Sequence, residues 1–415
     1  MYSPSMIGAD DRANGRAGER LEAARIDFED YAAVLRDKSD DELRAANLVL
    51  RTIQSGWMMR AGTSLARLGL ALRIPGTASA IERTVFRQFC GGTSLEAALA
   101  AARRLHRRGV RTILDYAVES EHSETGFDAA RRELERALIE SARGEEVAFC
   151  AMKLTGFARE PLLARESAGA HLSEHEQAEL ERASWRLAGV AAKAAEVGGS
   201  MFVDAEYSWV QPAIDRRVEA LMREHNRDRA VVHTTVQLYL RDRLEYLCEL
   251  IDDARRRGYV LGVKLVRGAY LEAETARARA RGVPNPVQPS KRDTDEAFDR
   301  ASTLCLENLD VVEVCAATHN IESVAHLMRE MERLGIPRGD RRVTFSQLLG
   351  MLDRLTFPLA DRGYNVLKYL PYGAVRMAFP YLLRRADENK SIAEQTAGEL
   401  AAVRQELRRR GRRPL

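Results

Sequence analysis

The chain has 415 residues, 45% of them hydrophobic, and no low-complexity stretch, which is enough to bury a large core as one domain or two. Lysine and arginine exceed aspartate and glutamate by only three, too even a balance for a chain that binds nucleic acid over its surface. Five cysteines at wide spacing, with no C-x-x-C pair, exclude a finger-type zinc site and fit a reducing compartment. The early acids Asp10, Asp11 and Glu19, without an apolar h-region, argue against a secretory signal and against a mitochondrial presequence. No run approaches the ~20 apolar residues of a membrane span, so the expectation is a cytoplasmic protein whose membrane contact is peripheral.

From about Phe28 to His106 apolar residues recur every three or four positions, as in Tyr31, Val34, Leu35 and Leu95, Ala98, Leu99, which predicts a helical N-terminal region over 1–108. The pattern then changes to short apolar runs, each followed by a helical stretch. The runs are Arg111–Glu119, Val147–Thr155, Met201–Glu206, Ala230–Gln237, Val260–Arg267, Asp310–Asn320, Arg342–Gln347 and Tyr364–Tyr369, with amphipathic segments such as Ile321–Leu334 between them. Eight strands alternating with helices, at repeats of roughly 20 to 55 residues, predict a parallel (β/α)₈ barrel over 109–391. A basic helix or tail fills 392–415.

Such a barrel carries its chemistry at the C-terminal ends of the strands. Polar residues fall there in every run: Glu119, Lys153, Asp204 with Glu206, Gln237, Arg267, His319 with Asn320, Gln347 and Tyr369. One of them alone reads as a solvated loop residue. Eight coincident cases read as a site.

The segments Lys264–Tyr270, Ala317–Asn320, Phe345–Met351, Lys368–Gly373 and Tyr381–Ser391 resemble proline dehydrogenase in its monofunctional form, closer to the eukaryotic type than to the domain in bifunctional bacterial enzymes. The resemblance runs in order from about Phe86 to Ser391 and includes Phe202–Glu206 with Gln211–Ala213. It implies a distorted (β/α)₈ barrel with FAD over its carboxyl face, oxidising L-proline to Δ1-pyrroline-5-carboxylate and passing electrons to membrane quinone. No strand opens into G-x-G-x-x-G, so barrel loops must hold the flavin.

On their own, Arg384 and Arg385 with Tyr381 one turn before and Glu388 one turn after are a salt-bridged helix face. The resemblance makes the arginines, with Lys153, a clamp for the proline carboxylate, suited by the two-pronged donation of guanidinium. It makes Glu388 the group that steadies them and Glu119 an acidic gate partner for Arg384. Tyr270, Leu348, Tyr369 and Tyr381 match the family's ring-packing wall. Tyr369 stands where hydroxyproline-oxidising relatives carry a smaller residue, so proline is favoured. By the same resemblance Asp204, which by itself could be a general base or half a metal site, organises the pocket's tyrosine and lysine. No metal is expected.

For FAD, Gly268 permits close backbone approach, and Lys264 and Arg267 precede it where a pyrophosphate could sit. The other matched flavin contacts are Gln237, Val266, Ala269, Thr318, His319, Asn320 and Gln347. The run Arg404–Arg413 reads either as a solvated tail or as an anionic-lipid contact, on the inner face of a bacterial inner membrane, for an enzyme that must reach quinone. Three rivals stand beside this reading. Tyr369 argues against a hydroxyproline dehydrogenase, and bound flavin would argue against a non-catalytic barrel. A metal-dependent hydrolase would need more ligands than His319, Asp204 and Glu206.

Overall fold

The structure, a computed structural model, describes residues 35, 38–54, 72, 74–82, 86–117, 123–379, 382 and 393–412. Eight parallel strands close into a barrel in sequence order: β1 (Val110–Tyr116), β2 (Val147–Met152), β3 (Met201–Val203), β4 (Val232–Gln237), β5 (Leu261–Val266), β6 (Val312–Ala317), β7 (Val343–Leu348) and β8 (Val366–Tyr372). Closure is made by β1 on β8, paired from Val110 against Val366 to Tyr116 against Tyr372. Each of the eight apolar runs overlaps one strand. Several strands stop short of the run: β3 ends at Val203, before the acids of its run, whereas β8 continues past Tyr369 to Tyr372.

β4 and β8 are buried at every position, β8 mainly through apolar side chains and β4 with polar groups tied down, as where the Thr235 hydroxyl donates to the Val203 carbonyl at 2.9 Å. Alternate residues then serve two cores. On β8, Val366, Leu370 and Tyr372 join the large cluster under the surrounding helices, while Leu367 and Tyr369 join Ile113, Ala151, Phe202 and Cys315 inside the bore. Gly262 on β5 makes room there: a Cβ would lie 2.6 Å from the His233 ring and 2.7 Å from the Val232 carbonyl. Serines and an asparagine cap several of the barrel helices, with Ser173 and Glu176 forming a capping box and Asn320 capping Ile321–Arg333.

The described helices before the barrel are Asp40–Gln54, Thr77–Ile81, Arg87–Phe89 and Leu95–His106. The described part of the basic C-terminal run, 404–412, is folded, most of it the end of the helix Ala393–Arg409. That helix packs on Asp40–Gln54 through Leu43, Ala46, Leu50, Leu400, Val403 and Leu407. The arginines at its end are partnered: Arg410 donates to the Lys38 and Leu35 carbonyls, Arg412 pairs with Asp40 at 2.7 Å, and Arg409 pairs with Glu406 at 2.7 Å. Among the described residues no helix is long and apolar enough to cross a membrane.

Candidate active site

The bore-facing positions at the C-terminal ends of the strands converge on one carboxylate. Asp204 follows β3 and is 9% exposed. Lys264 of β5 donates to its Oδ1, the Tyr369 hydroxyl of β8 donates to its Oδ2 at 2.7 Å, and Lys153, just past β2, lies 4.0 Å from the same oxygen. Burial by itself would raise the Asp204 pKa, but Lys264 and Lys153, with the Tyr369 bond, outweigh it and hold the carboxyl below its usual range. Asp204 is therefore ionised and a poor base. The Lys264 ammonium also lies over the Phe202 and Tyr369 rings, at 4.9 and 5.3 Å from their centroids.

Leu348 ends β7 in register with Tyr369 and packs against the bore cluster. Its N–H donates to His319 Nε2 at 3.0 Å. That nitrogen is then the acceptor, and the neutral ring carries its proton on Nδ1. Tyr270 stands in the loop after β5, its ring 4.4 Å from Tyr207, which in turn stacks on Trp209 at 4.3 Å and 7°. Lys153, Asp204, Lys264, Leu348 and Tyr369 thus come together, with Tyr270 at the same end of the barrel. Glu119, Tyr381, Arg384, Arg385 and Glu388 lie outside the described residues.

Among the positions matched to a flavin, Gln237 is buried and donates to the Glu206 carbonyl at 2.7 Å. Glu206 itself is a local tie, accepting from the Thr155 N–H at 3.0 Å and the Thr155 hydroxyl at 2.6 Å. Val266 is half-buried and Ala269 exposed. Thr318 accepts from Arg267 and from the Asn320 N–H, and the Asn320 side chain caps the next helix. Gly268 has φ +137°, and a Cβ there would lie 2.1 Å from the Tyr239 ring, so packing inside the protein already requires glycine. Gln347 lies on the helix side of β7, accepting from Thr356 at 3.0 Å, and its buried Nε2 has no partner among the described residues. A buried N–H donor left over at the C-terminal end of β7 fits an acceptor-rich ligand such as a flavin ring.

Two further polar groups stand at this end of the barrel, Arg267, read from sequence as a cation for a pyrophosphate, and Asp115, which was not assigned. Arg267 is an organiser: it pairs with Asp295 at 2.6 Å, bonds Thr318 and Ser323, and covers the Phe298 ring at 4.6 Å. Asp115, near the end of β1, is 3% exposed and could have been found only as an acid inside its apolar run.

A family model described as proline dehydrogenase matches residues 98–398. Over 78% of its length the chain is 36% identical to a "Carbapenem antibiotics biosynthesis protein CarD" of Pectobacterium carotovorum subsp. carotovorum, 83% of which is covered. It is 40% identical over 60% of its length to "Proline dehydrogenase 1, mitochondrial" of Homo sapiens, and spans 41% of that protein. Among solved structures it resembles proline utilization A from Bdellovibrio bacteriovorus, with a TM-score of 0.68 and 23% identity over 84% of this chain and 37% of that one. That likeness bears on the barrel fold.

Proposed function

Because the chain belongs to the proline dehydrogenase family, we propose that it oxidises L-proline to Δ1-pyrroline-5-carboxylate with FAD as its cofactor. FAD, when bound, would supply the hydride acceptor, with quinone as the final electron acceptor. The observation that carries this reading is the convergence of Lys153, Lys264 and Tyr369 on ionised Asp204 at the C-terminal end of the barrel.

The chain's own residues bind, orient and exclude water. Arg384 and Arg385 hold the proline carboxylate together with Lys153, steadied by Glu388, and Glu119 gates the entrance through Arg384. Asp204 keeps Lys153, Lys264 and the Tyr369 hydroxyl in place. Its depressed pKa leaves the amine proton of proline to solvent. Tyr270, Leu348, Tyr369 and Tyr381 enclose the ring, whose recognition rests on shape. Gln237, Lys264, Val266, Gly268, Ala269, Thr318, His319, Asn320 and Gln347 would hold the flavin.

The visible spectrum of the purified protein, followed by turnover of L-proline against trans-4-hydroxy-L-proline with a soluble quinone analogue, tests this reading. A flavin spectrum and faster turnover of proline are expected. A colourless protein, or one that prefers hydroxyproline, would remove it.

A quinone acceptor requires approach to a membrane, and the exposed Arg408 and Arg409 give the C-terminal helix a basic edge for anionic lipid on the inner face of a bacterial inner membrane. Liposome co-sedimentation should pellet the wild type but not an Arg408→Glu/Arg409→Glu variant. Equal pelleting removes the lipid contact.

A further inference from the structure

The loop from Leu348 to Leu352, between β7 and the helix Asp353–Asp361, is fastened from every side. The Leu348 N–H donates to His319, and the Leu349 N–H donates to the Tyr369 carbonyl at 2.9 Å. Lys368, the strand neighbour of Tyr369 and 0% exposed, donates to the Leu348 carbonyl at 3.3 Å and the Met351 carbonyl at 2.6 Å. Leu352 has φ +50°, the only non-glycine with positive φ among the described residues. A branched residue stays in that region only where its surroundings hold it.

Much of what holds it comes from outside the barrel. Asp353 pairs with Lys368 at 3.0 Å and with Lys38, just ahead of the helix Asp40–Gln54, at 3.1 Å. Glu399 of the C-terminal helix accepts the Leu352 N–H at 3.1 Å. Gly350 sits so close to the N-terminal segment that a Cβ would lie 2.1 Å from the Gln88 carbonyl. These buried charges take no part in the proposed chemistry. An ionic cluster is a costly way to stabilise a loop, since apolar residues of the same volume serve as well or better, but it fixes direction and register.

We propose that the two terminal helices brace the substrate pocket: Lys38, through Asp353 and Lys368, and Glu399, through the Leu352 N–H, are positioning residues that set the 348–352 loop and with it Leu348 and its bond to His319. The proposal rests on the reading of Leu348 and Tyr369 as the wall around the proline ring. It makes the N- and C-terminal helices determinants of specificity rather than covers.

The test uses the full-length, flavin-loaded protein carrying Lys38→Met, with Lys38→Arg as the conservative control and Glu399→Leu as a second variant should Lys38→Met not fold. Hydrogen–deuterium exchange of peptides covering 348–352 should speed up at least ~10-fold in Lys38→Met and return towards wild type in Lys38→Arg, with β5 unchanged. In the same variant KM for proline should rise about 3- to 10-fold with kcat within about 2-fold, and the preference for proline over 4-hydroxyproline should narrow. Unchanged exchange in the loop overturns the brace whatever the activity. Faster exchange with unchanged KM and preference overturns its role in recognition. If the wild type does not oxidise proline, the functional reading and the recognition role fall together, and the exchange measurement separately decides whether the brace exists.

Discussion

Asp204→Asn isolates the electrostatics at the barrel mouth, because it keeps the shape of the side chain and removes its charge. Lys264, 4% exposed, is directly bonded to that carboxylate and would be left as a buried cation without its counter-charge. Removing one partner of a buried ion pair costs about 3–5 kcal/mol. At roughly 2.1 cal/mol/K per residue the melting entropy of a 415-residue chain is about 0.9 kcal/mol/K, so Tm should fall by about 3–6 °C at neutral pH. The pH dependence follows from the depressed pKa of Asp204. Its contribution is fully present above the unfolded carboxyl pKa, about 3.9, and is lost as pH falls through the lower folded value. The gap between wild type and variant should therefore narrow below about pH 4. Near-UV circular dichroism melts of the flavin-free proteins at a fixed scan rate measure it, with Asp204→Asn/Lys264→Met recovering much of the loss. A Tm unchanged at neutral pH, or a gap that widens in acid, would refute the pairing.

Tyr369→Ser removes both the ring wall and the bond to Asp204; shape discrimination of about 1–3 kcal/mol predicts that the proline to 4-hydroxyproline ratio of kcat/KM falls about 10-fold or more. An unchanged ratio in steady-state assays would move specificity elsewhere. Gly268→Ala drives a methyl into the buried Tyr239 ring at an unfavourable φ, and should lower stability by about 1–3 kcal/mol and weaken flavin retention on gel filtration. Wild-type flavin content in that variant would show that the loop tolerates a side chain there.

The barrel was legible because most parallel strands covered on both faces are short apolar runs, and each of the eight runs overlaps one. The strand-end rule named Lys153 and Asp204, which sit just past β2 and β3, and Tyr369, which lies within β8; Lys264, inside β5, was named only through the family resemblance. Side was harder to read. Gln347 and Leu348 are adjacent, yet one faces a helix and the other the bore, and a one-residue difference in strand phase decides which. Lys368 was passed over because a lysine within an apolar run reads as a strand residue; its partner Asp353 and the helix bringing Lys38 meet it only through tertiary contacts. The C-terminal arginines looked like a tail for a similar reason. Their partners Leu35, Lys38 and Asp40 are distant along the chain.

The most direct test of the account is an anaerobic titration of the purified protein with L-proline, following the visible flavin absorbance, repeated with Arg385→Met. The wild type should bleach, and the variant should need about 100-fold more proline, as loss of a charge-assisted carboxylate contact worth about 3 kcal/mol requires. A wild type that keeps its colour in saturating proline, or a variant that bleaches at the same concentration, would contradict it.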